Sequence, residues 1–206
     1  MGMRHGYIAA TATRRELIAE LERHTGDFVV GAEEPSPYDL DLGPDDEGWV
    51  LAAGERDGRA FLLDTSLMLS NEPDMLVAMS QRLGLVAGAG AETVSGSFWL
   101  TAARDGELLR AVYVQHSTQT RGMAMGDPLP SERDHPLERF GGVSAALAAL
   151  GLDPAPWLDG GPAHGLRYTA ARFPASGAID AARAEHHRLH AHPAGTEPRI
   201  TVVAHE

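Results

Sequence analysis

Residues 94–114, VSGSFWLTAARDGELLRAVYV, decide the fold class. Two apolar runs, Val94 to Ala102 and Leu108 to Val114, flank Asp105-Gly106. Asp-Gly readily takes the φ > 0 geometry of a type I′ turn, whose twist matches that of the strands it joins. The spacing predicts a tight hairpin, with Phe98, Leu100 and Ala102 on one side and Trp99 on the other. The same grammar occurs earlier: Trp49 to Ala53 and Arg59 to Leu63 are joined through Asp57-Gly58.

Helix signals stand beside these hairpins. Thr13-Arg14-Arg15-Glu16 has capping-box spacing, Leu17, Ile18 and Leu21 share one helical face, and Gly26 ends the segment. Tyr7 to Ala10 precedes it as a short strand, and Phe28-Val29-Val30 follows as the returning strand. Asn71 or Glu72 caps a second helix with Pro73 in its first turn and Met75, Leu76, Met79 and Leu83 along one side. Leu85 to Ala87 reads as a strand, Gly126 to Pro130 as a turn, and Val143 to Leu150 as an Ala-rich helix. Leu166, Tyr168 and Ala170 alternate with polar residues, Ile179 to His190 is weakly amphipathic, and Ile200 to Val203 forms a last strand. Together these patterns predict an α+β fold: an antiparallel sheet built from β-hairpins with helices packed on one face. The length suits a single domain over 1–206, or two packed halves, 1–130 and 131–206.

Composition narrows the chemistry. The chain has no lysine and no cysteine, and all 17 basic side chains are arginine. A P-loop, a Schiff-base enzyme and a thiol enzyme are therefore excluded. A net charge of −12, with arginines scattered along the chain, argues against nucleic-acid and membrane partners. No apolar run approaches the roughly 20 residues that span a bilayer. Met1 to Gly6 lacks a signal-peptide core, so the expected location is cytoplasmic.

The most biased stretch runs from His24 to Glu55, which contains no arginine. Glu33, Glu34, Asp39, Asp41, Asp45, Asp46 and Glu47 lie within it among Pro35, Pro37 and Pro44, which argues for an exposed loop. Tyr38 and Trp49 stand beside these acids. Carboxylates around an aromatic anchor suit recognition of a basic protein partner, although a charge run is commonly just a solvated surface.

Other motifs are weaker. His186 and His190 lie one helical turn apart, a spacing on which two imidazoles could meet a divalent ion. No third ligand stands in register, so adventitious zinc or nickel is the expected occupant and no native cofactor is implied. Asp64-Thr65 follows two apolar residues, as in the paired-carboxylate loop of aspartic proteases, but Ser66 stands where that loop needs Gly; the plainer reading is that Asp64 ends a strand. Gly88-Ala89-Gly90 lacks the third glycine of a dinucleotide loop, Ser144 lacks the final glycine of a nucleophile elbow, and Pro44 breaks a calcium-loop reading of Asp39 and Asp41. No catalytic residue emerges.

The block from Trp49 to Glu132, with its two Asp-Gly turns and the Gly126-Asp127-Pro128-Leu129-Pro130-Ser131-Glu132 stretch, resembles small acidic α+β proteins of actinobacteria, some of them immunity-type. The likeness covers roughly 40% of the chain and carries over no functional residue. The leading expectation is a non-catalytic binding protein, an immunity-type inhibitor of a basic protein acting through residues 33–47. The alternative is a small-molecule or metal-dependent enzyme with an unrecognised pocket, and a third is a structural or oligomerisation module.

Overall fold

Both Asp-Gly dipeptides form tight hairpin turns: Asp57 and Gly58 have φ of 52° and 69°, and Asp105 and Gly106 have φ of 52° and 85°. Asp tolerates the left-handed region better than most residues and Gly enters it freely, so local chemistry suits both dipeptides to these turns. The computed structural model describes residues 4–26, 28–45, 48–115, 121–137, 140–168 and 201–203.

In chain order these hold β1 (Arg4–Ala10), α1 (Arg14–Thr25), β2 (Val29–Glu34), the 3-10 turn η1 (Pro37–Asp39), β3 (Gly43–Asp45), β4 (Gly48–Arg56) and β5 (Arg59–Asp64). Then come α2 (Pro73–Leu83), β6 (Leu85–Glu92), β7 (Ser97–Arg104), β8 (Glu107–Gln115), β9 (Arg121–Met125) and η2 (Pro130–Arg133). The series closes with α3 (Phe140–Ala149), α4 (Ala155–Leu158), β10 (Ala163–Tyr168) and β11 (Thr201–Val203). One antiparallel sheet runs in the order β11-β9-β8-β7-β6-β1-β5-β4-β10-β2, and β3 pairs with the start of β4. The fold is α+β, with a large antiparallel sheet made of hairpins and helices packed against it.

The helices divide between the two faces of the sheet. The expectation of helices on one face alone is corrected: α1 and α2 cover Ile8, Leu62 and Val86 with Leu17, Leu21, Leu76 and Met79. On the other face α3 and α4 bring Val143, Leu147 and Trp157 onto Tyr7, Ala9, Phe61, Leu63 and Leu100. With both faces covered, the central strands are apolar throughout. Tyr7 to Ala10 therefore shows no polar alternation that would reveal the second layer. Each fully buried Leu or Ile contributes about 1.5–3 kcal/mol on leaving water, so neither layer is dispensable.

Local signals hold well. Thr13 accepts from the Glu16 N–H while the Glu16 carboxylate accepts from the Thr13 N–H at 2.8 Å, the reciprocal bonds of a capping box. The Thr13 N–H, more than its hydroxyl, holds the Glu16 carboxyl below its ordinary pKa. Buried Glu20 on α1 faces Arg23, His24 and Arg82 at 3.2, 3.4 and 3.8 Å, tying α1 to the end of α2. Phe98, Leu100 and Ala102 face the α3 side, and Trp99 points the other way, its indole N–H donating to the Ser70 carbonyl at 3.1 Å.

A strand boundary is corrected as well. Val94 is not part of a strand; it sits in the turn between β6 and β7 and is 82% exposed. The strand read at Phe28-Val29-Val30 forms as Val29–Glu34. It becomes β2 at the end of the sheet, next to β10; hydrophobic periodicity states that a strand exists and not which neighbour it takes.

Candidate functional site

The acidic stretch is built onto the β10/β2 end of the sheet. From β2 the chain turns at Ser36, whose hydroxyl accepts from the Tyr38 N–H at 3.2 Å, and Pro37 starts η1. That turn rests against β4 and β10, with Leu40 and Leu42 packed on the α3-side core. Anchored from beneath, Tyr38 is nonetheless 63% exposed, and Asp39 and Asp41 beside it are exposed.

The strand separates the two glutamates. Glu34 pairs with Ala163, which belongs to the α3-side core, so alternation puts its side chain on the same face as η1. Glu33 faces α1 and is engaged there, at 3.1 Å from His164 Nε2 and 3.6 Å from Arg14 Nη1. Glu34 thus lies on the face that carries the Tyr38 turn, and Glu33 lies on the other. Asp45 falls on β3, while Asp46 and Glu47 lie outside the described residues. Tyr38 also stands near the core. Burial pushes the Tyr7 phenol up to about 12, and the neighbouring Tyr38 phenol adds to the shift. His5, two residues along the same strand face, is held below its ordinary pKa by burial.

A second constellation lies at the β4/β5 turn, and sequence reasoning missed it. Arg56 and Arg59 stand directly opposite one another in the ladder. They line a cavity of about 180 Å³ with Gly151, Asp153 and Trp157. Its apolar part includes the Phe61–Trp157 pair, stacked at 5.7 Å and 9°. Arg56 donates to the Pro156 carbonyl, and Arg59 Nη1 donates to the Asp57 carbonyl at 2.9 Å. Gly151 ends α3 with φ of 72°, and its N–H and that of Leu152 donate to Ala148 and Leu147, the paired bonds of a Schellman cap. That cap brings the chain against the Arg59 guanidinium. The signal present in the sequence was Arg-Asp-Gly-Arg, two cations at positions that a two-residue turn must place opposite each other.

The remaining motifs resolve into structure. Asp64 ends β5, is fully buried, and accepts from the backbone N–H and hydroxyl groups of both Ser66 and Ser70. All four donors are neutral, and together they fold residues 64–70 onto the sheet. Gly88 and Gly90 lie within β6, where a Cβ would strike Leu76 and Trp99, and Ser144 lies within α3. Among the described residues no group of three or more His, Asp or Glu could hold a metal ion, and no helix is long and apolar enough to cross a membrane. His186 and His190 lie outside the described residues. No protein-family model, curated protein or solved structure matches the chain.

Proposed function

We propose that this chain is a non-catalytic binding protein that takes a basic protein partner on its acidic face, in the manner of an immunity-type inhibitor. The observation that carries the reading is Tyr38. A phenol 63% exposed on a turn packed from below, with Glu34, Asp39 and Asp41 within four residues of it in the chain, matches the make-up of an interface centre. The surrounding carboxylates supply a field that speeds encounter with a cationic protein and disfavours anionic ones.

The test is kinetic. A partner captured on the immobilised chain from its native host is purified, and association and dissociation are measured across roughly 50 to 500 mM salt. The association rate falls severalfold on replacing Asp39, Asp41, Asp45 and Asp46 by Asn and falls with rising salt. Tyr38→Ala acts on dissociation, raising the off-rate by about tenfold or more. An association rate indifferent to both salt and the Asn substitutions would reduce this face to solvated surface.

A further inference from the structure

We propose that the cavity at the β4/β5 turn binds a small organic oxyanion, a carboxylate or phosphate monoester on a ring-sized apolar body, through Arg59 and Arg56. It makes no use of Tyr38 or the acidic stretch, so either reading stands without the other.

Three observations converge. First, like charges directly opposite in an antiparallel ladder destabilise it, and Arg56 and Arg59 hold that relation. A bound anion removes the penalty. Second, the Arg59 guanidinium is only partly used. Nη1 donates to the Asp57 carbonyl, Nε is buried without an acceptor, and among the described residues Nη2 has none. Nε and Nη2 form the side of the guanidinium that takes two oxygens of one carboxylate or phosphate. A buried donor without a partner costs about 1–3 kcal/mol, and an oxyanion reached by a small turn of the group supplies what is missing. Third, the space beside this edge has room for a small ring: benzene needs about 150 Å³, and this depression, open to solvent, measures about 180 Å³ above the buried Phe61–Trp157 stack. Gly151 borders the edge: a Cβ there would sit in van der Waals contact with it, 3.4 Å from Nη2 and 3.8 Å from Nε.

The nearby carboxylates do not already serve Arg59. Asp57 is 82% exposed and reaches Arg56 Nε at 3.9 Å, and Asp153 Oδ1 accepts from the Ala155 N–H at 3.0 Å. They disfavour a highly charged ligand and so select a singly or doubly charged one.

Calorimetric titration of the full chain with benzoate and with phenyl phosphate, at constant ionic strength, tests the site. Binding at about millimolar Kd or tighter is expected for at least one of them. Arg59→Lys keeps the charge but loses the paired donors, and weakens binding about tenfold or more. Arg104→Lys, at the other Asp-Gly turn, leaves it unchanged. Tighter phenyl phosphate assigns the site to phosphate esters, and tighter benzoate to carboxylates. In the unaltered protein the Arg59 Nε–H resonance shifts on saturation, a readout that needs no variant to fold. The proposal fails if neither ligand moves that resonance, or if Arg59→Lys binds as tightly as the parent.

Discussion

The two Asp-Gly hairpins share the tripeptide Arg-Asp-Gly and nearly the same turn dihedrals, yet they have opposite surroundings. At β7/β8 the cross-strand partner of Arg104 is Glu107, a favourable pair. The turn itself is held down: the Gly106 N–H donates to Ser80 Oγ at 2.8 Å, and Gln81 covers Gly106. At β4/β5 the partner of Arg56 is Arg59, and nothing lies within 4 Å of where a Gly58 side chain would begin. One hairpin is finished by its neighbours. The other is left with a repelling pair and a guanidinium edge that has no acceptor among the described residues. Identical turn chemistry therefore says nothing about role; the residue after the turn and the element packed beside it do.

The glycines should show the largest contrast. Gly58→Ala forces Ala into φ of 69°, which costs about 1–2 kcal/mol, with room for the methyl. Gly106→Ala meets the same strain and also drives the methyl to 2.7 Å from Gln81 Cγ, so its loss in urea unfolding should exceed that of Gly58→Ala. Equal losses would mean that the α2 contact does not distinguish the hairpins. Next in size is Ser80→Ala. It removes the acceptor for Gly106 and the donor to the Val77 carbonyl, and should cost about 1 kcal/mol with lowered amide-exchange protection at Gly106. Protection unchanged at that amide would show the bond to be dispensable. The smallest effect is Glu107→Arg, which copies the Arg–Arg opposition into the finished hairpin. A destabilisation of roughly 0.5 kcal/mol is expected, shrinking as salt rises. A salt-independent loss would point to packing and not charge.

Much of the fold was legible where structure is local. Asp57-Gly58, Asp105-Gly106 and the Thr13/Glu16 box each fix a few bonds between near neighbours, and each formed as read. Partner choice was not legible. Nothing in the Val-Val pattern of β2 announces β10, which arrives from beyond residue 160. The second helical layer hid in Ala-rich strands and in a helix apolar on nearly every side. The acidic stretch could be read as composition, but its division between two faces follows from strand alternation at a register that only pairing sets. The arginine cavity depends on α3 ending at Gly151 against a hairpin some ninety residues earlier. No local pattern encodes that meeting.

The place of β10 also sets a timetable. β2 leaves α1 early in the chain but reaches the sheet through β10 alone, with His164 meeting Gly31 and Glu33 across 133 and 131 residues. A chain emerging from the ribosome at about 5–20 residues per second has made its central hairpins several seconds before that strand exists. The Tyr38 turn, which rests on both β4 and β10, gains its second support only then. A chain cut before residue 163 would keep both Asp-Gly hairpins but lose the strand that pairs with β2, leaving the Tyr38 turn to rest on β4 alone.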